Sequence, residues 1–220
     1  MNLFRFLMVD RSPQVLLPRL RNRYRERRSS QLIDMRKDHS LYFIAIIPPD
    51  DLCHEITRLK EDFANRFNSR HALKVIPHIT LKAPFELPKA NHESTLQWFK
   101  SMPVSIAPYE QELEDFGAFN NRRNPVIYVN PKMNPSLKLL QHEIVLNFIA
   151  GYPDERIGEQ ELTFNPHLTI AYRDLKPHFF KEAWKEYEGK KYYAAFQVSS
   201  FSLFLHDTKR WNIISTYHLP

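Results

Sequence analysis

The chain has 220 residues, of which 43% are hydrophobic, 25% charged and 13% aromatic, a globular balance that excludes a low-complexity or disordered chain. No apolar run approaches the roughly 18 residues that span a bilayer; LFRFLMV near the N-terminus is interrupted by Arg5 and followed by no small-residue cleavage site, so it reads as neither signal peptide nor anchor. The net charge of +6 resides in residues 1–30, where eight arginines face only Asp10 and Glu26, and the rest of the chain is neutral.

The first feature in chain order is this arm, RLRNRYRERR at 19–28. Such a run either grips nucleic-acid phosphates or forms a solvated extension. Met35 opens MRKDHSLYFIAIIPP, a natural start for a compact domain, so 1–34 also reads as a dispensable extension. We take 1–40 as a basic extension and 41–220 as one bilobal domain. The single cysteine, Cys53, excludes an intrachain disulfide and, with no export signal, points to the cytoplasm. It reads as a small, partly buried residue, the alternative being a reactive thiolate at a helix start.

LYFIAII at 41–47 predicts a strand stopped by Pro48-Pro49. DDLCHEITRLKEDFANRF predicts a helix with Leu52, Ile56, Leu59, Phe63 and Phe67 on one face and Asp50 or Asp51 as N-cap. ALKVIPHITL at 72–81 predicts a strand, NHESTLQWFKSM at 91–102 a short helix, and 104–119 extended structure. PVIYV at 125–129 reads as a strand, NPSLKLLQHEIVLNFIAGY as a helix stopped at Gly151, LTFNPHLTIAY at 162–172 as a strand, and KPHFFKEAWKEYEG as a helix. Strands follow at 193–206 and 211–219. The order strand, helix, strand, helix, strand thus occurs twice, predicting a duplicated α+β unit with lobes from roughly 41–120 and 125–218.

One pattern recurs at the same place in each copy: His78-Ile79-Thr80-Leu81 and His167-Leu168-Thr169-Ile170. Composition alone gives about 0.06 expected matches to His, apolar, Thr, apolar. A third His-x-Thr, at His206, has charged neighbours in a turn and is set aside. Side chains at i and i+2 of a strand share a face, so each His sits beside its Thr while the apolar pair anchors the other side. If the lobes face one another, two imidazoles and two hydroxyls meet. A neutral imidazole can take a proton from an attacking hydroxyl or water, an imidazolium can protonate the leaving oxygen, and the hydroxyls can hold non-bridging phosphate oxygens. One strand His alone is more often a satisfied, half-buried residue. Zinc is the other reading, but no His-x-His, Cys pair or nearby carboxylate completes a ligand set.

With PHITLKAPF and FNPHLTIAYRD in the repeated order, the sequence resembles the two-histidine phosphoesterase superfamily, which includes 2′-5′ RNA ligase-like proteins and cyclic nucleotide phosphodiesterases, over roughly residues 41–218. The resemblance implies an α+β bilobal fold with two antiparallel sheets facing a central cleft and helices outside. It implies His78 and His167 as catalytic pair, Thr80 and Thr169 as phosphate binders, and neither metal nor other cofactor. It implies a monomer acting on an RNA end or small nucleotide cyclic phosphate, off the membrane, or a non-catalytic nucleotide- or RNA-binding module of the same fold. For cyclic-phosphate hydrolysis His167 is expected as base and His78 as acid. Lys82, Arg173, Tyr172 and Phe85 are candidate substrate contacts; Phe164 reads as core, with base stacking as its alternative, and Arg122 and Arg123 as a solvated turn or a basic rim.

Overall fold

Alternating side chains build two sheets. In β1 (His39–Ile46), Tyr42, Ile44 and Ile46 enter the main core while Phe43 and Ala45 take the opposite face, the period-two pattern of a strand. The computed structural model describes residues 38–220; the arginine-rich stretch 19–28, the apolar segment before it and Met35 lie outside the described residues. Ser40–Pro220 form one unit.

β1 lies between β2 (Ile79–Pro88) and β7 (Ser200–His206), and β7 pairs with β8 (Trp211–His218). The second sheet runs β5 (Leu168–Ala171), β4 (Val126–Pro131), β3 (Tyr109–Phe119), β6 (Tyr193–Val198). Both motif strands, β2 and β5, are edge strands. Pro84 and Pro88 fall within β2, where a missing N–H is tolerated because one side of an edge strand is unpaired.

Helix α1 (Asp50–Arg66) joins β1 to β2, and α2 (His92–Lys100) follows β2. Helix α3 (Pro135–Gly151) joins β4 to β5, and α4 (Pro177–Tyr187) follows β5. Packing is reciprocal: α1 lies against β5 and α3 against β2, as a duplicated unit about a pseudo-two-fold axis requires. Leu52, Ile56, Phe63 and Phe67 are buried at or beside α1 as its spacing predicts. Its N-cap is Pro49 with no side-chain cap, the acidic pair occupying the first turn, where negative charge suits the helix dipole. Helix α3 is capped by Asn134, whose Oδ1 accepts from Leu137 N at 2.8 Å, with proline in its first turn.

Besides the N-cap of α1, the fold departs from sequence expectation at four places. The strand expected at 72–81 starts only at Ile79; His71–Lys74 form a 3-10 turn whose first N–H groups are held by Asp174, so they never join a ladder. The strand expected at 162–172 is only Leu168–Ala171, because Glu159–Leu162 form a helical turn closed by Gly158 N donating to Glu161 Oε2 at 2.9 Å. The expected strand 193–206 is two strands in different sheets. The lobes therefore do not follow the halves of the sequence: β3 and β6 share one sheet with β4 and β5, while β7 and β8 return to β1 and β2. Pairing partners decide this, and local periodicity does not encode them.

Candidate active site

His78 and His167 each stand one residue ahead of their edge strand. Beyond them Ile79, Leu81, Leu168 and Ile170 are buried in the core while Thr80 and Thr169 remain half-exposed on the other face. Both histidines are fixed in the same way. His78 Nδ1 lies 2.7 Å from Ile76 O, and His167 Nδ1 lies 2.9 Å from Asn165 O. A carbonyl only accepts, so each Nδ1 carries the proton and donates it to the carbonyl two residues back. That leaves Nε2 of each ring as the nitrogen free to accept or deliver a proton.

The imidazoles also share their surroundings. His78 packs on Phe43 of β1 and Phe204 of β7, with ring centroids 5.1 and 6.2 Å away. His167 packs on Phe119 of β3 and Tyr128 of β4 at 5.1 and 5.6 Å. In each lobe one ring comes from the strand beside the motif strand and the other from the strand beyond. These four aromatics were not singled out from sequence, although the alternation of β1 already sets Phe43 on the face away from the main core. Gly117 pairs with Tyr128 across the ladder. A Cβ on Gly117 would come within 2.4 Å of the Tyr128 ring, so only glycine lets that ring lie across β3 toward His167.

A cavity of about 220 Å³ is lined by His78, Thr80, His167 and Thr169 together. The two lobes thus bring both motifs to one cleft. Burial lowers the basicity of both imidazoles. For His78 the pKa falls to about 4, by burial first and then by the positive charge of Lys60, against the support of the Ile76 carbonyl. His167 is lowered by burial, partly offset by the Asn165 carbonyl. These surroundings hold both rings neutral at pH 7.

The other candidate residues divide. Tyr172 and Arg173 line the cavity. Arg173 has φ of 60°, the left-handed region, and its Nη1 donates to His71 Nε2 at 3.2 Å. Asp174 beside it accepts from Ser69 Oγ, Arg70 N and His71 N at 2.9, 2.9 and 2.8 Å, fastening the chain end of β5 to the segment before His78. Lys82 and Phe85 are not cleft residues, contrary to expectation. Lys82 Nζ is buried 2.7 Å from Glu161 Oε1 and lies over the Phe148 ring. It shares a strand face with Thr80, but the Glu161 turn of the other lobe closes over it. Phe85 is core, stacked on Tyr42 and edge-on to Phe148. Arg122 and Arg123 are exposed in the β3–β4 turn.

A second cavity of about 430 Å³ adjoins the first, sharing Thr80, Val126 and His167 with it. Phe119, Phe164, Asn121 and Gln141 are among its walls. Phe164 thus packs on the core and also faces this cavity. Among the described residues, no group of three or more His, Cys, Asp or Glu side chains is arranged to hold a metal ion, and no helix is long and apolar enough to cross a membrane.

The family model of the 2′-5′ RNA ligase superfamily matches residues 48–210. A predicted phosphoesterase of Bacillus cytotoxicus is 29% identical over 167 residues, covering 74% of this chain and 92% of its own length. A second, from Geobacillus kaustophilus, is 26% identical over 181 residues, covering 80% and 94%. Among solved structures, E. coli LigT complexed with 3′-AMP superposes with a TM-score of 0.59 at 17% identity, over 82% of this chain and 98% of LigT. TT0787 of Thermus thermophilus gives 0.56 at 17% identity, over 81% and 97%. LigT has also been crystallised with NADP+ and in that form superposes with a TM-score of 0.52.

Proposed function

The chain belongs to the 2′-5′ RNA ligase superfamily, and from that premise we propose that it is a metal-independent phosphoesterase that hydrolyses, or in reverse ligates, RNA-type phosphodiesters such as 2′,3′-cyclic phosphates and 2′-5′ linkages. The observation that carries this reading is the matched pair of imidazoles: both are held through Nδ1 by a carbonyl two residues back, and both line one cavity with both threonines.

The chemistry follows from that tautomer. One neutral Nε2 takes a proton from water as the water oxygen attacks phosphorus. The other ring, protonated at Nε2, delivers its proton to the departing ribose oxygen, so the ester bond breaks as the new P–O bond forms. The threonine hydroxyls donate to the non-bridging oxygens. The two roles exchange when the reaction reverses. His78, held to about 4 beside Lys60, gains a proton only against its surroundings. His167 as base and His78 as acid therefore requires the substrate phosphate to supply the opposing charge.

The larger adjoining cavity is sized for a nucleoside, with Phe119 and Phe164 as stacking surfaces and Asn121 and Gln141 as amide partners. A nucleotide ligand is also what LigT, of the same fold, has been crystallised with. Arg173 and Tyr172 border the smaller cavity and are assigned to the substrate's flanking phosphate or sugar. A monomer is part of this reading, and the single buried thiol suits the cytoplasm.

The test is a panel of 2′,3′-cyclic nucleotides, ADP-ribose cyclic phosphates and 2′-5′-linked oligonucleotides, assayed with EDTA from pH 5 to 9. Turnover of at least one is expected, with a loss of about 10²- to 10⁴-fold in His78→Ala and in His167→Ala. Saturable nucleotide binding with no turnover would make the protein a binding module instead. Undiminished activity in either variant would remove these residues from the mechanism.

A further inference from the structure

Among the described residues, no carboxylate pairs with the buried Lys60. Only 2% of it is exposed. Its one hydrogen bond among the described residues goes from Nζ to Val75 O at 2.9 Å. The other buried lysine, Lys82, shows the contrast, since Glu161 neutralises it. The nearest candidate counter-ion on the same helix is Cys53, but burial holds that thiol protonated, with a pKa of about 11, and its Sγ donates to Pro48 O at 3.2 Å. A buried ammonium left unpaired costs several kcal/mol on the usual scale, so its retention needs a counter-charge from elsewhere.

The cavity supplies the place. Lys60 lines the same 220 Å³ cavity as His78, Thr80, His167, Thr169 and Arg173. Among the described residues, no acidic side chain lines that cavity. We propose that Lys60 is the fixed counter-cation of the phosphate cleft: the substrate's phosphoryl group is the anion its ammonium lacks. This rests on the phosphoesterase reading and adds to it a residue outside both motifs.

The titratable groups around Lys60 come from three elements. Asp50, Cys53 and His54 of its own helix line a second cavity with it, His78 precedes β2, and His167, Tyr172 and Arg173 face it across the cleft. Burial lowers the ammonium to about 8, and the protonated Cys53 thiol adds no charge to oppose it. Lys60 disfavours a proton on His78, and a proton already on His167 would oppose a second one there. A phosphate between them reverses the sign of the field at both groups, so anion binding and proton uptake are linked through one small space.

The experiment uses the full chain and inorganic phosphate. Calorimetric titration should show phosphate affinity falling about tenfold or more in Lys60→Met, and recovering in Lys60→Arg, at the effective dielectric of a partly buried pair. In the absence of phosphate, NMR titration should show the His78 imidazole pKa rising in Lys60→Met while that of His167 stays in place. In the unmutated protein, phosphate should raise the pKa of the Lys60 ammonium, read on its 15Nζ resonance, which keeps the test open should Lys60→Met fail to fold. Unchanged phosphate affinity in a folded Lys60→Met, an unmoved His78 titration, or a Lys60 ammonium indifferent to phosphate would each overturn the proposal. If Thr169→Ala loses phosphate while Lys60→Met does not, the Lys60 assignment fails alone. If the unmutated protein binds no phosphate, it fails together with the phosphoesterase reading.

Discussion

Lys82 Nζ and Glu161 Oε1 meet 2.7 Å apart, both almost fully buried, although they belong to different sheets' surroundings. Lys82 is two residues past Thr80 on β2, and Glu161 lies on the turn that leads to His167. The same carboxylate accepts from Ala83 N at 3.2 Å and Gly158 N at 2.9 Å. One ion pair therefore ties the approach of one motif strand to the other. Removing a single partner leaves a buried charge with neither solvent nor counter-ion, at about 3–5 kcal/mol. Lys82→Met and Glu161→Gln should each lower the melting temperature by roughly 10 °C, at about 2–4 °C per kcal/mol for a chain of this size. The double variant Lys82→Met/Glu161→Leu should recover much of that loss. Thermal denaturation followed by circular dichroism checks it, and additive losses would disprove the coupling.

The depressed imidazoles make stability depend on pH. A histidine with a lowered folded pKa binds its proton more readily when unfolded, near 6.5. The unfolded chain then holds the extra proton between that value and the folded one, so stability rises with pH in this window. For His78 the contribution is complete above about pH 6.5 and declines as pH falls toward about 4. Urea midpoints for the unmutated protein and His78→Gln should differ by a constant amount above pH 6.5. They should converge or cross below it as the unmutated protein loses this stabilisation. A difference that stays flat from pH 4 to 8 would mean His78 is not depressed in the fold. Adding 3′-AMP should raise the pKa of at least one imidazole, because the bound phosphate opposes the field that keeps the rings neutral.

How far the sequence anticipates this site depends on the range of the interaction involved. His78, Thr80, His167 and Thr169 are legible because strand alternation is local and the pattern occurs twice. The helices are legible from the spacing of residues such as Leu52, Ile56 and Phe63. The partition into lobes is not, because the break at Ser199 sends β6 and β7 to different sheets without changing their alternation. Lys82 looks like a cleft cation from its strand position and becomes a buried brace only when the Glu161 turn arrives from the other lobe. Lys60 is hidden for the same reason in reverse. On the helix it reads as one solvated charge among several, and the absence of a nearby carboxylate is visible only in three dimensions.

The arginine-rich arm gives a separate prediction. Eight arginines within residues 1–30 carry the whole net charge of the chain. If they bind RNA phosphates, deleting 1–34 should weaken binding of a single-stranded oligonucleotide. Its salt dependence should flatten by about 0.7 in logarithmic slope for each phosphate that the arm no longer neutralises. Turnover of a cyclic mononucleotide, measured on both proteins, separates loss of RNA binding from loss of activity. Fluorescence anisotropy across a series of salt concentrations, beside a turnover assay, reads both quantities, and identical slopes for the two proteins would exclude the arm as an RNA-binding element.

Gly117 offers a test of how the second histidine is positioned. Its Cβ position is occupied by the Tyr128 ring at 2.4 Å, and that ring in turn packs 5.6 Å from His167 and 4.7 Å from Phe119. Gly117→Ala must displace an aromatic side chain rather than the far end of a flexible one, so overpacking of about 1–3 kcal/mol is expected. The displaced ring no longer buttresses His167, whose orientation then rests on the Asn165 carbonyl and Phe119. Activity should therefore fall more than stability accounts for, mainly in kcat, since a misplaced proton-transfer group affects the transition state more than binding. Tyr128→Ala on the Gly117→Ala background relieves the clash but leaves His167 without that support. The double variant should regain stability without regaining kcat. Joint recovery of both would show that Tyr128 only fills space.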